Sequence, residues 1–245
     1  MKPEILVGPP ERLLAAATER LELAAAEAIA ARGRFALALP GGSAATLFFP
    51  RLARAQIDWR RTDFFWSDER ALPLSDPGSN AGLADRLWLR PAGVPAANRH
   101  RLPADLPDLD AAAVAAEVEM ISCLGDPPRL DLLWLGVGED GHVASLFPGH
   151  RLLGEKRRWV AALNDAPKPP AERLTLTLPA IAAARGVILT ALGETKAAAI
   201  GAAFREAGAP LPLALALAAA PSAWLLLDPA AARELPPALR RGAQR

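Results

Sequence analysis

Residues 136–150 read GVGEDGHVASLFPGH and set glycines, two acids and two of the chain's three histidines close together. An imidazole that titrates near neutrality suits general-base work on water. Glu139 and Asp140, just before His142, could fix its tautomer or raise its basicity. No Gly-x-Ser-x-Gly elbow occurs anywhere, and a zinc-type centre would need ligands that the chain scarcely has. The expected chemistry is therefore free of metal, cofactor and covalent serine intermediate. His100 and His150 fall in loops rich in proline and arginine and are expected at the surface.

Three other polar clusters suit an anionic ligand. ALPGGSAAT is an apolar run, a glycine turn and a helix start, in which Gly41, Gly42 and Ser43 could present backbone N–H groups to phosphate. A plain turn with Ser43 as helix cap explains the same residues. WSDERALP places Asp68, Glu69 and Arg70 after a strand-like run; it reads as a solvated loop, or as Asp68 orienting polar groups while the Arg70 fork holds an anion. Ser79 and Asn80 follow, each suited to capping a helix. Arg173 opens the alternating run RLTLTL, and Lys196 lies in a helix's first turn, where a cation opposes the dipole unless an anion sits above it.

The elements that must position these residues follow from hydrophobic spacing. Helices are predicted at 9–33, starting near Pro10 and stopped by Gly33, and then at 43–54, 80–89, 108–124, 179–185 and 194–207. Apolar runs at 34–40, 62–67, 130–138, 159–163, 173–178, 186–192 and 223–228 read as strands, with 68–79 and 164–173 as surface loops. Strands alternating with helices define an α/β layered fold with a mostly parallel sheet. In such sheets ligands bind beyond the carboxyl ends of the strands, where all four polar clusters fall.

The chain has 245 residues, a formal charge of +1 and a composition that is 51% apolar. That is enough for a sizeable core, and one domain over residues 1–245 is expected. The balanced charge gives no nucleic-acid or membrane footprint. Prolines 210, 212 and 221 interrupt the most apolar late stretch, and the N-terminus lacks a signal-like run, so a cytoplasmic location is expected. Cys123, the lone cysteine, is expected as a buried structural thiol.

Taken in order, PGGS, WSDERALP with SN downstream, LLWLGVGEDGHVASLFPG, KPPAERLTLTLPAI and GETKAAAI resemble the 6-phosphogluconolactonase family, whose superfamily includes glucosamine-6-phosphate deaminase/isomerase. The most specific segment is GEDGHVASLFP. The resemblance implies a three-layer αβα sandwich with a Rossmann-like sheet. It also implies hydrolysis of 6-phospho-D-glucono-1,5-lactone in the oxidative pentose phosphate pathway; a monomer or weak homo-oligomer is expected. By motif match His142 would be the general base, supported by Asp68 and Asp140. Gly41, Gly42, Ser43, Arg70, Ser79, Asn80, Arg173 and Lys196 would surround the phosphosugar. Two departures stand out: GGSAA where the family usually has GGSTP, and DGHVASLFP where it has DGHTASLFP. If both lost hydroxyls touched substrate, each loss would cost about 0.5–1.5 kcal/mol. An isomerase or deaminase of the same superfamily, or a phosphosugar sensor without turnover, are the competing readings.

Overall fold

A computed structural model describes residues 3–205 and 210–242. The end of the helix predicted over 194–207 lies outside the described residues. In chain order, β1 (Glu4–Val7), α1 (Pro10–Arg32), β2 (Phe35–Leu39) and α2 (Gly42–Leu52) come first. Then β3 (Thr62–Trp66) runs almost directly into β4 (Asp68–Arg70), followed by α3 (Asn80–Ala84), α4 (Leu109–Leu124) and β5 (Leu132–Gly136). Next are β6 (Val160–Leu163), β7 (Arg173–Leu176), α5 (Leu178–Ala183), β8 (Val187–Ala191) and α6 (Ala197–Ala203). The last are α7 (Pro212–Ala219), β9 (Ala223–Leu227) and α8 (Pro237–Gly242).

Six strands form the central sheet in the order β1-β9-β8-β5-β2-β3, and every pairing in it is parallel. β2, β3 and β8 are buried at every position, as strands covered by helices on both faces must be. This is the three-layer αβα architecture. Among the helices, α1 buries Leu13, Ala17, Leu21, Ala25 and Ala28 along one stripe. Gly33 ends it at φ 80°, donating its N–H to the Ile29 carbonyl. The proline-broken late stretch becomes α7 and β9, and no helix among the described residues is long and apolar enough to cross a membrane.

Residues 68–70 are not loop but strand. β4, β7 and β6 form a second, antiparallel sheet, with Asp68 opposite Thr175 and Arg70 opposite Arg173. Ser67 joins the two sheets: its N–H bonds the Leu39 carbonyl at 2.9 Å and its carbonyl accepts from Leu176 at 2.7 Å.

Three surface and core expectations are corrected. Cys123 is exposed, because the buried stripe of α4 runs through Ala112, Ala113, Ala116 and Met120 and leaves it at the edge. His150 is mostly buried; its Nε2 lies 3.0 Å from Asp165, and its Nδ1 accepts from the Leu152 N–H. His100, 12% exposed, stacks on Phe65 with ring centroids 4.8 Å apart. Its ring nitrogens bridge Glu119 at 2.9 Å and Asp63 at 3.2 Å, and so tie α4 to β3.

The Asp63 hydrogen bond, opposed by burial and assisted by Glu119, holds the His100 pKa above its ordinary value. The stability this supplies is complete below the unfolded-state pKa of about 6.5 and is lost as pH rises through the raised folded-state value. His100→Gln is therefore expected to lower the urea midpoint more at pH 5.5 than at pH 8.5. Equal losses at both pH values would reduce the residue to a packing role.

Candidate active site

The strands β8, β5, β2 and β3 are neighbours in the sheet, and the chain leaves the carboxyl end of each into one of the polar clusters. β2 lies between β3 and β5, so the chain order reverses there, the place where open α/β sheets leave a crevice. A cavity of about 400 Å³ occupies it.

Gly41, Gly42 and Ser43 line the cavity. Helix α2 starts at Gly42 with Gly41 as its cap, so Ser43 is not the cap but a first-turn residue. Its side chain is exposed to the cavity beside a helix N-terminus whose first N–H groups have no helical acceptor. Gly41 must be glycine for a steric reason: a Cβ there would lie 2.0 Å from Asn80 Oδ1.

Asn80 is placed by buried acids. Its Nδ2 donates to the Asp68 carbonyl at 2.9 Å and to Asp68 Oδ1 at 3.3 Å. Glu69, which carried no distinct signal within DER, is fully turned inward. It accepts from the N–H groups of Arg70, Asn80 and Ala81 and from the Ser79 hydroxyl, all within 3.0 Å. Burial pushes its carboxyl pKa up, and these bonds pull it back. Ser79 caps α3 by accepting from Gly82 N–H, and it does not line the cavity.

His142 faces the cavity from a tight turn after β5. Its Nδ1 lies 2.5 Å from Asp140 Oδ1, and its ring packs 4.7 Å from Phe147. A neutral imidazole donating Nδ1–H to that carboxylate leaves its lone pair on Nε2. No partner for Nε2 occurs among the described residues. Burial depresses the imidazole pKa, with Asp140 opposing. Glu139 does not share in this; it lies 3.6 Å from Lys196 Nζ. Ala144, at φ 50°, holds a left-handed conformation that costs about 1–2 kcal/mol. Beyond that bend, Ser145 is buried and donates its hydroxyl to Asp68 Oδ2 at 2.7 Å. Val143 is fully buried in the core, as is Ala45, so neither departs from the family at the cavity wall; only Ala44 lines it.

Four cations border the cavity: Arg70, Arg173, Lys196 and Lys168. Arg70 donates through NH1 to the Gly78 carbonyl at 2.7 Å, while its Nε has no partner among the described residues. Arg173 is 4% exposed and largely occupied: Nε bonds the Pro170 carbonyl, NH2 bonds those of Lys168 and Pro169, and NH1 reaches Ser145. Burial lowers its pKa, yet a guanidinium stays charged. Lys168 escaped the sequence reading although it is one of only four lysines. Among the described residues no group of three or more His, Cys, Asp or Glu side chains is arranged to hold a metal ion.

An acid-backed histidine facing a cavity bordered by cations, at the switch point of a parallel sheet, marks an α/β enzyme with a positively charged ligand cavity. Residues 9–224 match the family described as glucosamine-6-phosphate isomerases/6-phosphogluconolactonase, and the chain belongs to it. It is 40% identical to the 6-phosphogluconolactonase of Streptomyces coelicolor, over 97% of this chain and 96% of that one. The 6-phosphogluconolactonase of Trypanosoma brucei superposes with a TM-score of 0.82 at 25% identity, covering 96% of this chain and 99% of the other. A monomeric glucosamine-6-phosphate deaminase shares the fold at 21% identity, TM-score 0.80, covering 96% of this chain and 100% of the other. Fold alone therefore does not separate the two activities.

A Cβ on Gly138 would lie 2.0 Å from His142 Nδ1. Gly138→Ala is expected to displace the ring and to cost about 1–3 kcal/mol of stability. In a His142→Ala background the same change should cost little, a coupling of at least about 1 kcal/mol in urea unfolding. Additive losses would show that the glycine serves the backbone and not the ring.

Proposed function

We propose that this enzyme is a 6-phosphogluconolactonase, hydrolysing 6-phospho-D-glucono-1,5-lactone to 6-phospho-D-gluconate in the oxidative pentose phosphate pathway. The observation that carries the reading is the Asp140–His142 pair, whose free Nε2 belongs to a ring that borders the cationic cavity. Full-length similarity to enzymes of that name supports it.

A lactone is an activated ester, so the demands are placement, one proton transfer and charge stabilisation. His142 Nε2 takes a proton from water as the oxygen attacks C1, while Asp140 steadies the imidazolium that forms. The carbonyl π bond becomes an oxyanion facing the cations. Its collapse breaks the bond from C1 to the ring oxygen, and the imidazolium returns its proton to that leaving oxygen. Arg70, Lys196 and the α2 N-terminus offset the charge of the phosphate and the oxyanion. No metal ion takes part in this scheme. Asp68 acts as a support and not as a base: its oxygens already accept from Ser67, Asn80 and Ser145. That occupancy disfavours the isomerase reading, in which an acid at this position removes a carbon-bound proton.

The test is proton release from lactone generated in situ, for wild type, His142→Asn and a no-enzyme control. The variant should lose about 10²–10⁴-fold in kcat, the usual worth of a general base. Because burial lowers the imidazole pKa, the wild-type rate should hold to below pH 6.5 and fall only under it. A fully active variant removes His142 as base. Ammonia release from glucosamine 6-phosphate with no lactone hydrolysis would replace the reading with the deaminase one.

A further inference from the structure

The Arg173 guanidinium clasps three successive carbonyls, those of Lys168, Pro169 and Pro170, at 2.9, 3.4 and 2.9 Å. It is itself fixed over the Phe147 ring at 5.5 Å and lies 4.0 Å from Asp68. This clasp sets the loop before β7 so that Lys168 Nζ stands 3.5 Å from Asp140 Oδ1, the same oxygen that His142 Nδ1 approaches at 2.5 Å. One carboxylate oxygen thus faces both an ammonium and an imidazole.

We propose that Lys168 is a positioning residue for the hydrolysis: its ammonium shares Asp140 with His142, limits how far that carboxylate can favour the imidazolium, and so keeps the ring neutral and able to accept a proton. The proposal rests on His142 being the base. The charged groups around the ring are few. Asp140 on its own turn and Asp68 on β4 favour the protonated ring, and Lys168 from the loop before β7 opposes them. Arg173 from β7 lies against Phe147, the ring's apolar neighbour. Arg70 lines the same cavity, and Lys196 is matched by Glu139. Without Lys168, a 2.5 Å bond to a carboxylate with no other cationic partner among the described residues would bias the histidine toward its charged form, which cannot act as a base. At 43% exposure the lysine can be replaced without opening the core.

The experiment follows the His142 imidazole by NMR in the free protein as pH is varied, for wild type, Lys168→Met and Lys168→Arg, with circular dichroism to confirm folding. Lys168→Gln substitutes if the Met variant does not fold. Removing the charge should raise the titration midpoint by about 0.5–1 pH unit, and arginine should return it toward wild type. The acid limb of lactone hydrolysis should move upward by the same interval. An unmoved midpoint in the neutral variants overturns the proposal, and so does an equal shift in Lys168→Arg, which would trace the effect to loop shape and not to charge. If wild type hydrolyses no lactone, the assigned activity fails, while the imidazole titration still decides the role of Lys168.

Discussion

A carboxylate taken out of water must be surrounded by donors, and Asp68 meets that requirement where the two sheets join. It accepts from Ser67 and Asn80 on one oxygen and from Ser145 on the other. Those three donors come from the sheet junction, from α3 and from the far side of the histidine turn. Satisfying a single acid therefore fixes the distance between the wall that carries Arg70 and the wall that carries His142. Arg173 completes the arrangement from β7, with its remaining donors holding the loop that brings in Lys168. The cavity is a consequence of this buried polar network as much as of the sheet. In such a network every member must be satisfied together or the whole loses its stability advantage.

Apolar spacing located most strands and helices because burial in a parallel sheet leaves a signal in consecutive residues. FALAL, LLWLG and VILTA could hardly be anything else. The short strand at Asp68–Arg70 carries no such signal. It is held by pairing with residues more than a hundred positions later, and its composition is that of a loop. The same holds at the site. His142 and Asp140 were legible because they lie two residues apart, whereas Ser145 reaches an acid 77 residues away and Lys168 one 28 away. Ser43 was misplaced as a cap because Gly41 and Gly42 are themselves competent to open a helix. Glu69 carries no sequence signal of its own, because nothing in a tripeptide of charges tells which one turns inward.

The two departures from the family's usual motifs are resolved by where their side chains point. Val143 packs in the core, where a methyl is as good as a hydroxyl or better, since a buried hydroxyl would need a partner, and Ala45, at the position where the family has proline, packs there too. Only Ala44 lies at the cavity wall, so the apolar drift of these motifs touches the ligand side at a single position. The cations are likewise unequal. Arg173, the most buried, is mainly architecture, while Arg70 and Lys196 keep donors or charge directed at the cavity. Residues that look interchangeable in a motif have thus been divided by burial into those that shape the site and those that are left facing the cavity.

The segment after residue 210 contains none of the site motifs, yet the N–H of Leu213 bonds the carbonyl of Gly141, and Leu211 lies against that glycine. Gly141 immediately precedes His142, so the start of α7 buttresses the histidine turn from behind. Among the described residues β1 likewise finds its strand neighbour only in β9. For a chain emerging from the ribosome in order, both facts impose a schedule. Every described residue that lines the cavity has been synthesised by Lys196, but the turn bearing His142 stays unbraced until the stretch around residue 213 has left the exit tunnel. The incomplete polypeptide would hold all the chemistry and lack its clamp, so activity should arrive late and abruptly during synthesis instead of growing with length.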